Sequence, residues 1–86
     1  MNNKKTIVDV RTPGEFSGGS VVGSINIPLN EILQRIDEIK SLPKPIILCR
    51  ASGARSQQAT YYLQQAGVEC ENGGSWLQVN RELASA

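Results

Sequence analysis

An apolar run, Ile46-Ile47-Leu48, leads through Cys49 and Arg50 into the small residues Ala51-Ser52-Gly53-Ala54 and on to a helical-period run from Ser56 to Ala66. This strand-loop-helix unit constrains the fold more than any other part of the chain. The helical run puts Ala59, Tyr62, Leu63 and Ala66 on one stripe and stops at Gly67, a residue suited to the left-handed position after a helix. A loop that joins a strand end to a helix N-terminus collects backbone N–H groups and the positive end of a helix dipole. Such a place suits an anion. It also lowers the pKa of a thiol that faces it.

The rest of the chain repeats the alternation. Thr6 to Val10 reads as a short buried strand, and Pro13 opens a single helical turn. Ser17 to Gly23 is glycine- and serine-rich loop. Ser24 to Pro28 is extended, and Asn30 caps a helix running to about Lys40 with Ile32, Leu33, Ile36 and Ile39 at helical spacing. Leu42 to Pro45 is a linker, and Ile46 to Cys49 is the next strand. Val68 to Glu71 is a last short strand, Gly73-Gly74 turns the chain, and Ser75 to Leu83 is a final helical piece. Strands alternating with helices predict an α/β fold, a small parallel β-sheet flanked by helices on both faces. In such sheets ligands sit outside the carboxyl ends of the strands, where Cys49 lies.

With 86 residues and a formal net charge of +1, the chain reads as a single domain over 1–86 with no basic face for nucleic acid or an anionic membrane. No run is long enough to span a bilayer, and no signal core follows the N-terminus, so the expected location is cytoplasmic. The two cysteines, Cys49 and Cys70, stand in a chain without histidine. They read as reduced, separate thiols and not as a metal site. No glycine pattern for a flavin or nicotinamide appears, so no cofactor is expected. Thiol chemistry here would rest on amides and on the charges of Arg50 and Arg55. Asp9, Arg11 and Glu15 read as a structural ion cluster beside the site. Cys70 reads as a strand residue, and Trp76, Tyr61 and Tyr62 as packing or surface aromatics.

Four segments, in order, resemble the rhodanese-like domain family in its small single-domain form. They are Asp9-Val10-Arg11-Thr12-Pro13-Gly14-Glu15-Phe16, then Gly19 to Leu29 with Ser20 where histidine is usual, then Pro45 to Ser56, and last Gly67-Val68 with Gly73-Gly74-Ser75-Trp76. The resemblance implies an enzyme, a sulfurtransferase of the thiosulfate type. In that chemistry a loop thiolate takes the outer sulfur of thiosulfate or a persulfide donor and passes it to a thiol or cyanide acceptor. Carried onto this chain, Cys49 is the nucleophile, and Arg50, Ala51, Ser52, Gly53, Ala54 and Arg55 form the anion-binding loop.

The spacing admits two registers. The family's loop has its cysteine five residues before the arginine matched by Arg55, and that position is Arg50. Either the loop is one residue longer and Cys49 is its base, with a C-x5-R spacing like that of rhodanese-fold phosphatases and arsenate reductases, or Arg50 stands in the nucleophile's place. In the second case Cys49 belongs to the strand, and adjacent strand side chains point to opposite faces. The domain is then an inactive anion- or protein-binding module.

Overall fold

The structure is a computed structural model that describes residues 5–51 and 53–85, with the backbone alone for 53–55 and 85. Four strands, β1 (Thr6–Asp9), β2 (Ile25–Asn26), β3 (Ile46–Arg50) and β4 (Cys70–Ser75), form one sheet in the order β2-β1-β3-β4. Every pairing is parallel. The helices are α1 (Pro13–Ser17), α2 (Ile36–Lys40), α3 (Gly53–Gln65) and α4 (Trp76–Ser85). No helix among the described residues is long and apolar enough to cross a membrane.

Side chains alternate across the sheet and so divide the core in two. On one face Val8, Val10, Ile46 and Leu48 pack with Ile27, Ile32, Ile39, Ala59 and Leu63, beneath α2 and α3. On the other, Ile7, Cys49 and Val21 pack with Val79 of α4, and Ile47 and Trp76 lean against them. The expected parallel sheet with helices on both faces is therefore present.

Local signals end α3 as the sequence predicts. Gly67 has φ +85°. Its N–H donates to the Gln64 carbonyl at 3.0 Å, and that of Val68 to Leu63 at 2.9 Å, the paired bonds of a Schellman motif. Thr12 caps α1, with Pro13 in the first helical position and Glu15 closing a capping box.

Two segments differ from expectation. The helix foreseen from Asn30 to about Lys40 is broken into 3-10 turns at Leu29–Glu31 and Leu33–Arg35 before α2 begins. Arg35 leaves helical geometry at φ −113°, while Ile32 and Ile39 stay fully buried. Docking of those two isoleucines outweighs the local helical preference.

The last strand starts later and runs longer than predicted, because Gly73-Gly74 lies inside β4 and not in a turn. Leu48 pairs with Asn72 and Cys49 with Gly74, so Gly73 is the extra residue of a bulge. A Cβ on Gly73 would lie 2.8 Å from both Ile47 Cγ2 and Val79 Cγ2. Gly73→Ala is thus expected to destabilise the fold by about 1–3 kcal/mol through overpacking. A urea titration of the variant beside wild type measures it, and an unchanged midpoint would refute the close approach.

Candidate functional site

The carboxyl ends of β1, β2 and β3 meet at one rim of the sheet. Val10 continues the β1 ladder by donating its N–H to the Cys49 carbonyl at 3.0 Å, and its own carbonyl accepts the Leu29 N–H at 3.0 Å. Asn26 Nδ2 donates to the Asp9 carbonyl at 3.0 Å and the Arg11 carbonyl at 2.9 Å, which fixes how the chain leaves β1. These bonds frame a cleft of about 230 Å³. Its apolar lining is Val10, Pro28 and Leu29, and its polar lining is Thr12, Glu15, Asn30 and Arg50.

Arg50 is the last residue of β3 and is half-buried at this cleft. Its Nε is sealed from solvent and has no hydrogen-bond partner among the described residues. A buried donor left unpaired costs about 1–3 kcal/mol. Across the cleft, Glu15 Oε1 accepts from the Thr12 N–H and hydroxyl, both at 3.1 Å. Those two bonds, with the more distant charges of Arg50 and Arg11, hold the Glu15 carboxyl below its ordinary pKa.

Cys49 is one residue back in β3, and its side chain faces the other way. It is 0% exposed and packs in the cluster of Ile7, Val21 and Val79. The lowered thiol pKa expected for a loop position does not hold in this geometry. Burial, then the negative charge of Asp9, pushes the thiol up to about 12, against a smaller opposing effect of Arg11. The cause is the register. The strand carries on through Arg50, one residue past its predicted end, so Cys49 is a strand residue inside a packed face.

Asp9 and Arg11 close that face from above. Arg11 Nε lies 3.0 Å and 3.1 Å from the two Asp9 oxygens, and Nη2 lies 2.8 Å from Oδ2. Nη2 also donates to the Gly19 carbonyl at 2.6 Å, and the guanidinium lies over the Trp76 ring at 4.8 Å. Asp9 and Arg11 thus form the expected ion pair. Glu15 joins Thr12 instead, and the Thr12-Pro13-Gly14-Glu15 spacing carries that capping-box signal in the sequence.

Of the predicted loop, Ala51 is exposed just after β3. Gly53, Ala54 and Arg55 contribute backbone to the first turn of α3. The Arg55 side chain and all of Ser52 lie outside the described residues. Cys70 is a buried strand residue whose thiol donates to the Thr60 carbonyl. From the sequence alone, the rim residues Asn26, Pro28, Leu29 and Asn30 are given no part in a site. Their position just past a parallel strand is the signal that points to them. A larger cavity of about 340 Å³ lies against α4 and is lined by Ile7, Ile47 and Glu82 among others, but by neither Cys49 nor Arg50.

The rhodanese-like domain model matches residues 1–78. A protein named Sulfurtransferase from Allochromatium vinosum is 43% identical over 61 residues, covering 71% of this chain and 56% of that protein. YqhL of Bacillus subtilis is 41% identical over 64 residues, covering 74% of this chain and 50% of YqhL. The chain thus spans about half the length of these relatives. Among solved structures, a rhodanese-related protein from Thermoplasma volcanium superposes with a TM-score of 0.78 at 31% identity, covering 93% of this chain and 79% of that one. An E. coli rhodanese solved with anions gives 0.77 at 31%, covering 86% and 89%. The family model spans most of the chain and the superposed structures share its fold, and the chain belongs to the rhodanese-like domain family.

Proposed function

We propose that this rhodanese-like domain binds a small anion at Arg50 and does not turn over sulfur through Cys49 in this conformation. One observation carries the reading: two adjacent residues of β3 face opposite sides, and the one at the cleft is the arginine. The guanidinium offers charge-assisted hydrogen bonds to an anion at the strand ends. The thiol is sealed in a packed layer, and burial holds its pKa near 12, far above neutral pH, so the thiol form prevails there. The E. coli structural relative was solved with anions, which supports an anion-binding role for a domain of this fold.

A second reading is sulfur transfer from thiosulfate or a persulfide donor to a thiol or cyanide acceptor through a Cys49 persulfide. The Allochromatium vinosum relative named Sulfurtransferase favours it. It requires Cys49 to leave its packed position. The phosphatase reading of the C-x5-R spacing makes the same demand. The free thiols of Cys49 and Cys70 fit a reducing compartment, which supports a cytoplasmic location.

One pair of measurements separates these readings. Folded wild type, Cys49→Ser and Arg50→Gln are titrated with thiosulfate and then weighed intact. Binding is expected to weaken by about tenfold or more in Arg50→Gln, the loss of a charge-assisted contact, and to be unchanged in Cys49→Ser. No sulfur adduct of about 32 Da is expected on wild type. An adduct that disappears in Cys49→Ser would replace this proposal with the second reading.

A further inference from the structure

The layer around Cys49 is closed on one side by a segment with few ties to the rest of the domain. Ile7 and Ile47 of that layer belong to strands, and Val79 and Trp76 to α4. Val21 completes it from the loop between α1 and β2 and is 2% exposed. The next residue, Val22, is 90% exposed, so the loop dips once into the core and leaves again. Among the described residues, Ser20, Val22 and Gly23 make no hydrogen bond, and the Val21 carbonyl accepts only from the N–H and hydroxyl of Ser24. Arg11 ties the loop to the sheet, its Nη2 donating to the Gly19 carbonyl at 2.6 Å. Trp76 supplies the other support, since a Cβ on Gly19 would lie 3.3 Å from its ring. Glycines in the left-handed region bound the loop, Gly19 at φ +150° and Gly23 at φ +82°.

We propose that residues 18–23 form a flap over the Cys49 layer, which swings about Gly19 and Gly23, withdraws Val21 and opens the thiol to small solutes while the sheet and helices stay folded. A segment opens separately from the whole when few buried contacts and hydrogen bonds hold it. Moving Ile7, Ile47 or Val79 aside breaks a strand ladder or a helix. Moving Val21 aside breaks one side-chain hydrogen bond and the packing of one valine. The route to the thiol that disrupts least therefore runs through the loop. The flap goes beyond the reading of the Arg50 cleft, which lies on the other face of β3, and gives Cys49 a second, reachable state.

Labelling of folded wild type with iodoacetamide tests the flap. The labelled cysteine is read from peptide masses, and the rate is followed in urea below the unfolding transition. Cys49 is expected to label at least about tenfold faster than global unfolding allows. Its rate is expected to be nearly independent of urea, because opening a short loop exposes little surface. Gly23→Ala then tests where the opening occurs. A Cβ at Gly23 would meet nothing within 4 Å, so alanine adds only the strain of a left-handed backbone, and opening relieves it. Cys49 labelling is expected to rise about fivefold or more in this variant, with its weak urea dependence kept. A Cys49 rate that climbs with urea along the global unfolding curve would overturn the proposal. A rate in Gly23→Ala equal to that of wild type would overturn it too, because the opening would then lie outside the flap.

Discussion

Asp9→Ala is expected to lower stability by about 3–5 kcal/mol, the usual cost of leaving a buried charge without its partner. Arg11 is 5% exposed, and its guanidinium is bound by both Asp9 oxygens, of which Oδ1 also accepts the Arg11 backbone N–H at 3.0 Å. Hydrogen bonding to Asp9 is the largest cause of the raised Arg11 pKa; without Asp9 that support is lost, but a guanidinium is not deprotonated inside a protein, so Arg11 stays charged. Gly19 and Trp76 remain as contacts, and neither neutralises a cation. Small domains have about 5–15 kcal/mol in total, so Asp9→Ala removes a large share. Urea unfolding of Asp9→Ala and of the double variant Asp9→Ala/Arg11→Met measures the effect. The double variant is expected to recover part of the loss, because it removes the buried charge itself. A single variant as stable as wild type would show that the pair is solvated in the protein.

Raising the pH from 8 to 12 is expected to destabilise wild type more steeply than Cys49→Ala. The folded thiol titrates near 12 and the ordinary thiol near 9.0. Between those values the unfolded chain releases a proton that the folded chain keeps. Stability from this group is complete below about pH 9 and falls as pH rises toward 12. Each pH unit in that window costs about 1.4 kcal/mol, so the whole window is worth about 4 kcal/mol as an upper bound. Cys70 is raised by burial as well, so Cys70→Ala is the control that separates the two thiols. Midpoints of urea unfolding taken at each pH give the slopes. A cysteine activated in an anion-binding loop would titrate below its ordinary value and reverse the sign. Equal slopes in wild type and Cys49→Ala would refute the buried state described here.

Much of this architecture is legible in the sequence because it rests on local signals. The apolar runs at Ile7-Val8 and Ile46-Leu48 mark β1 and β3, Gly67 marks the end of α3, and Pro13 the start of α1. The break between Leu29 and Ile36 is not legible, because it arises where Ile32 and Ile39 dock into the same core. The longer β4 depends on a glycine accepted between Ile47 and Val79, a contact between residues far apart in sequence. The site shows the same division. The acid-base pair of Asp9 and Arg11 could be read from its spacing. The direction of the Cys49 side chain could not, because it turns on whether β3 ends one residue sooner or later. The sequence held both registers open, and the length of one strand separates them.

The bulge at Gly73 also protects the outer edge of the sheet. A flat, regular edge strand is a template onto which another chain can add. Here β4 carries an extra residue, Gly74 at φ +85°, and the Gln64 side-chain amide donating at 3.3 Å to the Cys70 carbonyl. The opposite edge, β2, is only two residues long. Among the described residues, one border is thus bulged and the other short, and both depart from the long regular strand that edge-to-edge pairing favours. The glycine that accommodates α4 against β3 thus also breaks the regularity of one sheet edge.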